Sequence, residues 1–299
     1  MKEYRMKKIK VLFLCTCLMA VSAVQVQAQN TKRGWELDLK EASLDLSSTD
    51  VKNAEEYQNF PNAKLTSDSQ TLVKGHLHLA GNYFAEHFVW GNELFLDYGK
   101  TTLKPVDGQK TTNETSDSIL FTSSYTHRLW KAENALGGFE AGPFASLSYQ
   151  TEFNSQGDSP LKKVVRAAAG VKIFEGTYIK NFQVAGFAED DFTYDPSSEN
   201  YGWEALIRIE QPIREGVKGV YSGMFRNYLY RSREEKTDID YEASLDARLD
   251  VALLNEISIA PFIQYYTAQA RAFGKRGQNL QIGISFGFSH TFIKAKEVK

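Results

Sequence analysis

From Ile239 to Val251 the residue types alternate without a break. Ile239, Tyr241, Ala243, Leu245, Ala247, Leu249 and Val251 are apolar or aromatic, and the residues between them, Asp240, Glu242, Ser244, Asp246, Arg248 and Asp250, are polar or charged. Only an extended strand sends successive side chains to opposite faces, so this run is a strand with one greasy and one wet face. The same period recurs in Leu77/Leu79/Tyr83, Phe88/Trp90/Leu94/Leu96/Tyr98, Ile119/Phe121/Tyr125, Phe139/Ala141/Leu147/Tyr149 and Val165/Ala167/Ala169/Val171/Ile173. It continues through Phe182/Val184/Ala188, Tyr201/Trp203/Ala205/Ile207/Ile209, Tyr221/Phe225/Leu229, Ile257/Ile259/Ile263/Tyr265 and Leu280/Ile282/Ile284/Phe286/Phe288. With Trp35/Leu37/Leu39 as the first, slipping phase near Glu41, there are twelve such segments.

The connections alternate in length. Tight turns are expected near Ala85-Glu86, Lys131-Asn134, Gly176-Thr177, Arg214-Gly216 and Asn255-Glu256, and longer polar loops near 47–70, 100–116, 154–162, 195–200, 231–236 and 271–278. Short turns at one end and long loops at the other, around an even strand number, predict an all-β fold: a single antiparallel transmembrane barrel of about twelve strands with periplasmic turns and surface loops. A secreted β-sandwich would also alternate, but its apolar face is a core dominated by large aliphatics. Here that face mixes Ala and Gly with Tyr, Trp and Phe near strand ends, the pattern of a lipid-facing band between aromatic girdles.

The first residues set the compartment. Lys2, Arg5, Lys7, Lys8 and Lys10 precede the apolar stretch Val11 to Val24 and the Val26-Gln27-Ala28 motif, which together read as a signal peptide cleaved after Ala28. The apolar run is shorter than the roughly 20 residues of a spanning helix. The expected division is therefore a removed segment 1–28 and a barrel over 29–299. Both cysteines, Cys15 and Cys17, fall in the removed segment, so the mature chain carries no thiol or disulfide chemistry. Removal of five basic and one acidic residue leaves 30 against 36, a formal charge of −6. A mildly acidic chain without basic blocks is a poor nucleic-acid partner.

The last strand carries the sequence Ser285-Phe286-Gly287-Phe288-Ser289-His290-Thr291-Phe292. This resembles the assembly signal of Gram-negative outer-membrane β-barrel proteins: a polar residue, Gly, then large apolar or aromatic residues ending in Phe or Tyr. His290 stands where an aromatic is usual, and the chain continues for seven residues, Ile293 to Lys299. The Trp90-Gly-Asn-Glu-Leu and Tyr98-Gly stretch is similar to barrel families of unknown function. The resemblance implies outer-membrane lipid as surroundings and the barrel-assembly and periplasmic chaperone machinery as partners. It implies no activity and no cofactor.

If the apolar faces meet lipid, the polar faces line the lumen. The inward acids are then Glu36, Asp38, Glu93, Asp97, Glu140, Glu189, Asp191, Glu204, Glu210, Asp240, Glu242, Asp246 and Asp250, and the bases Lys40, Arg128, Arg166, Lys172, Arg208, Arg226 and Arg248. Such a surplus of acids favours cations in a wet lumen; alternatively the charges pair across strands and fill it. The strand carrying Asp240, Glu242, Asp246 and Asp250 sets only Arg248 against them on its own face, and Arg226 is expected between Glu204 and Glu242. His76 and His78 share the inward face. A hairpin folded about Ala85-Glu86 would put His78 opposite Glu93 and His76 opposite Phe95, a hydrogen-bonded pair rather than a metal site, since a third strong ligand is lacking.

Catalysis finds little support. A lipase-like barrel sets His and Ser two apart on one strand, and no His-x-Ser occurs; a barrel protease would need a His among the surface loops, and none is there. The expectation is a non-enzymatic, narrow channel for small solutes with a cation preference. The alternative is a closed barrel acting through its loops, of which 47–70 and 100–116 are long enough to fold inward as a constriction or outward as a binding surface.

Overall fold

The computed structural model describes residues 31–57, 63–66, 71–103, 111–132, 135–155, 160–233 and 238–298; the segment 1–28, expected to be a signal peptide, lies outside the described residues. The strands in chain order are β1 (Thr31–Lys52), β2 (Thr71–Phe84), β3 (Phe88–Leu103), β4 (Thr111–His127), β5 (Trp130–Ala132), β6 (Phe139–Thr151) and β7 (Val164–Phe174). They continue as β8 (Ile179–Asp191), β9 (Ser198–Arg214), β10 (Val217–Arg231), β11 (Ile239–Ala252), β12 (Ile257–Ala270), β13 (Gly277–Ile293) and β14 (Lys296–Val298). The long strands pair antiparallel in sequence order and β13 pairs with β1, closing a barrel of twelve staves. Closure leaves no open sheet edge around the wall, which a barrel needs where no water can satisfy the backbone. The two short strands are extensions: β5 carries the line of β4 along β6 after a break, and β14 carries that of β13 along the start of β1.

The wall is inside out relative to a water-soluble protein. On β11 the side chain of Leu245 faces outward and is 63% exposed, while Glu242 on the other face is 8% exposed; on β1, Asp38 is 4% exposed between the outward Leu37 and Leu39. The slip of phase near Glu41 is a β-bulge, for β1 shifts register between Leu39 and Glu41 against β2 and between Leu39 and Ala42 against β13. The extra residue returns Leu44 and Leu46 to the outer face and turns Glu41, Ser43 and Asp45 inward.

The alternating connections stand, with three differences from the sequence reading. The strands run on into the expected loops, so β1 reaches Lys52 within 47–70, while in 100–116 strand extends up to Leu103 and resumes from Thr111. The turn at Lys131–Asn134 is wider, because β4 breaks at Arg128 and Leu129 and chain enters β6 through Leu136, Gly137 and Gly138, all at positive φ. At this break a Cβ on Gly142 would lie 1.7 Å from the carbonyl oxygen of His127, so only glycine lets the two backbones approach. The β2–β3 turn closes with Ala85 N donating to Phe88 O (2.9 Å), one residue beyond the expected centre.

Candidate functional site

That one-residue displacement moves the cross-strand register by two. His76 lies opposite Asp97 and His78 opposite Phe95, while Glu93 faces Ala80. The expected facing of His78 to Glu93 and His76 to Phe95 is thus corrected by the position of the turn. Contacts survive in altered form: His76 Nδ1 is 2.7 Å from Asp97 Oδ1, the His78 ring stacks on Phe95 at 4.0 Å between centroids, and His78 Nε2 is 3.3 Å from Glu93 Oε2. Lys74 Nζ completes this wall, 3.5 Å from Asp45 and 3.9 Å from Asp97. Ser43 sits opposite His76 on β1, so Ser, His and Asp stand in a row across three strands. The Ser43 hydroxyl donates along its own strand to Asp45 (3.2 Å), so it is spent on a carboxylate rather than on the ring.

The opposite wall is organised on Arg226. Its register places Glu204 of β9 on one side and Glu242 of β11 on the other. Nε and Nη2 donate to Glu204 Oε2 (3.1 and 2.9 Å), and Nη1 donates to Glu242 Oε1 (2.8 Å). Tyr266 of β12 donates to the other Glu242 oxygen (2.9 Å). On the near side Arg166 is paired with Glu189, which also accepts from Asn200 (3.0 Å), and both guanidinium groups lie over the ring of Phe187, at 5.4 and 5.6 Å. Phe187 meets Tyr228 edge to face at 5.4 Å. Phe144, Phe187, Phe262, Tyr228 and Tyr266 are buried on the inner face, positions that alternation alone assigns to polar residues. They are the part of the lumen that sequence reading missed.

Toward the turns, Arg248 donates through Nη1 to Glu41 and through Nε to Asp250, both at 2.6 Å, reaching across β12 and β13 to β1. Arg208 donates to Glu210 through Nε and Nη2 (3.2 and 3.0 Å), and Lys218 lies 3.3 Å from Glu210 and 3.9 Å from Asp250. Asp246 faces Ser222 and Gln264. Asp240 is met by Arg271 (2.9 Å). The β11 acids are therefore not left to Arg248 alone. Their partners Lys218 and Arg271, like Lys74 and Lys32 elsewhere, sit at or near strand ends, where alternation of residue types does not mark a residue as inward.

Both ends of the lumen are narrowed. At the turn end Arg128 makes a bidentate contact with Glu140 (2.6 and 2.8 Å) and donates to the carbonyls of Ala85 (2.8 Å) and Lys32 (3.2 Å), while Lys32 Nζ lies 3.1 Å from both Glu36 and Glu175. The Lys32–Glu175 contact joins β1 to the β7–β8 turn, several staves away. At the loop end the segment after β1 folds inward. Tyr57 and Leu65 are fully buried among Tyr266, Ala268 and Ala270; the Tyr57 hydroxyl donates to Ala268 O (3.1 Å), and Asn279 Nδ2 donates to Lys64 O (2.7 Å). Lys64, on the helical turn Ala63–Thr66, lies within electrostatic reach of Lys74 and Asp97 on one wall and of Glu242 and Asp246 on the other. Among the described residues no group of three or more His, Cys, Asp or Glu is placed to hold a metal ion.

The residues expected to form an assembly signal lie in the last stave. Gly287 pairs with Ser43 and Ser258. His290 continues the outward row of Phe286, Phe288 and Phe292: its ring is 4.8 Å from that of Phe292, and its Nδ1 is 2.6 Å from Glu256 Oε1.

No protein-family model and no curated protein matches the chain. Among solved structures it is similar to an outer-membrane channel from Pseudomonas putida F1 (11% identity, 90% of this chain and 100% of that chain, TM-score 0.44). It is also similar to the outer-membrane channel DcaP of Acinetobacter baumannii (10%, 89% and 100%, 0.40) and to outer-membrane phospholipase A from Escherichia coli (12%, 82% and 89%, 0.40). These likenesses are loose and span a channel and an enzyme alike, so the functional reading rests on the barrel's own geometry.

Proposed function

We propose that the chain works in the outer membrane as a narrow channel for small polar solutes, with a modest preference for cations. The membrane setting is supported by the continuous apolar outer wall, whose exposed area in water would be an aggregation liability. Outward aromatics gather toward both ends, Trp35, Tyr83, Trp90, Phe88 and Tyr125 near the turns and Tyr201, Trp203, Phe225 and Tyr230 nearer the loops, as girdles at two interfaces do. The outward row Phe286, Phe288, His290 and Phe292 supports recognition of the last strand by the assembly machinery.

One observation carries the channel reading. The Glu93 side chain, directed inward from β3, is 42% exposed, so side chains do not fill the interior beside it and leave water-sized space there. The cation preference rests on the acids outnumbering the bases along the inner face, an imbalance that ion pairing softens. A second reading, a closed barrel acting through its loops, is favoured by the Lys32–Glu175 contact across the turn end. Reconstitution in planar bilayers separates them: small conductance steps with a reversal potential shifted toward cations support the channel, and silence from correctly folded protein leaves the closed barrel.

A further inference from the structure

The inward arginines Arg128, Arg166, Arg208, Arg226 and Arg248 are each held by a carboxylate. Two other inward charges are not spent in this way. Lys172 of β7 is half-buried between Gly142 of β6, which has no side chain to offer, and Gln183 of β8, which has no charge. Among the described residues no carboxylate pairs with its ammonium. Glu93 of β3 is touched by the His78 ring at 3.3 Å, and by no lysine or arginine among the described residues. The staves of β4 and β6 stand between the two residues, and across that bend of the wall each feels the other's charge without contact. The neighbouring charges are engaged elsewhere: Glu175, which Lys172 also feels, is 3.1 Å from Lys32, and Lys40, which Glu93 also feels, is 2.6 Å from Asp38. What is left is one carboxylate and one ammonium on the inner face, neither touching a permanent counter-ion.

We propose that Glu93 and Lys172 form a docking point in the lumen for small zwitterionic solutes, which set an ammonium against Glu93 and a carboxylate against Lys172. The inference rests on the channel reading above and names its solute class. A lone cation gains Glu93 but is repelled by Lys172, a lone anion meets the reverse, and a neutral amide gains neither charge. A solute that carries both charges gains two charge-assisted contacts at once and brings no net charge into the lumen. Gln183, beside Lys172, adds a neutral donor and acceptor at the carboxylate end. The water-sized space beside Glu93 is where such a solute enters.

Saturation-transfer NMR on the full barrel in detergent micelles tests the assignment, with 3-aminopropanoate as the zwitterion and propionate, propylammonium and propionamide as controls of similar size. Wild-type protein is expected to bind 3-aminopropanoate saturably and the three controls at least tenfold more weakly. Glu93→Gln and Lys172→Met should each weaken 3-aminopropanoate about tenfold, as the loss of one charge-assisted contact would. Lys172→Gln serves where Lys172→Met does not fold, folding being read from heat-modified gel migration. The exchanged variant, Glu93→Lys with Lys172→Glu, should recover binding, because the solute can turn end for end; a merely structural role for either residue predicts no such recovery. Equal binding of all four solutes, single variants that bind like wild type, or a folded exchanged variant without recovery overturns the site. The measurement needs no conduction. A barrel that binds 3-aminopropanoate but stays silent in planar bilayers therefore overturns the channel reading, and a conducting barrel that does not bind it overturns this site alone.

Discussion

At the turn end, Arg128, Glu140, Lys32 and Glu175 narrow the lumen with charges carried on strand ends and tight turns, whereas at the loop end Tyr57 and Leu65 narrow it with apolar knobs carried on a long segment. The first closure is part of the wall, since Arg128 ties β1, the β2–β3 turn and β6 together. The second is seated on the wall without belonging to its ladder. Removing an ionic staple should therefore damage the fold, while removing an apolar knob should change the passage and spare the fold.

The largest effect is expected at Arg128. Arg128→Met leaves Glu140 buried without its partner and frees two carbonyls, at a cost on the order of 3–5 kcal/mol, the range for breaking a buried ion pair from one side. Urea unfolding of the barrel in detergent measures it. Adding Glu140→Leu to Arg128→Met should restore part of the loss, because no unpaired charge is then left; a double variant as unstable as the single one would show that the carbonyl contacts dominate instead.

Next comes Arg226, where the comparison moves to the middle of the lumen. Arg226→Met sets Glu204 and Glu242 against each other, with an expected loss of about 1–3 kcal/mol. A double-mutant cycle with Glu204→Gln should show coupling, and additive losses would dissolve the triad as an energetic unit. Here the arrangement was legible in the sequence, since the unbroken alternation of β11 and the outward apolar rows of β9 and β10 fix which residues face inward, and the short β9–β10 turn fixes the level of Glu204 against Arg226. The His76 and His78 partners were less legible: a turn displaced by one residue shifts every pair of the hairpin by two. The aromatic part of the lumen was hidden for another reason. Phe187 and Tyr228 sit at inward positions that the alternation marks as polar, and only the guanidinium groups lying over the ring explain why an aromatic is accommodated there.

The apolar latch should give a smaller change in stability and a clear one in conductance. Tyr57→Ala with Leu65→Ala removes both knobs, and the unit conductance in planar bilayers is expected to rise while urea stability of the barrel falls little. Gly277→Ala offers a finer version, because the added Cβ would lie 2.6 Å from Leu65 Cδ1 and must push that side chain out of its seat. Unchanged conductance in both variants would mean that the inward segment does not limit passage.

The smallest effect concerns charge preference, which depends on how much of the acid surplus the pairing leaves unspent. Glu204, Glu242, Glu189 and Glu140 are each held by an arginine, so they contribute little net field to the passage. Glu93 is different, being partly exposed and contacted by the His78 ring at 3.3 Å rather than by an arginine, and Asp246 lies opposite the neutral Ser222 and Gln264. Fields from such groups decay over about 8 Å at physiological salt, a distance comparable to the width of a narrow lumen, so neutralising them should register. Glu93→Gln with Asp246→Asn is therefore expected to reduce the cation shift of the reversal potential, more at low salt than at high. Replacing the paired Glu204 by Gln should alter it much less, and an equal loss from Glu204→Gln would mean that the pairs, rather than the exposed acids, set the selectivity.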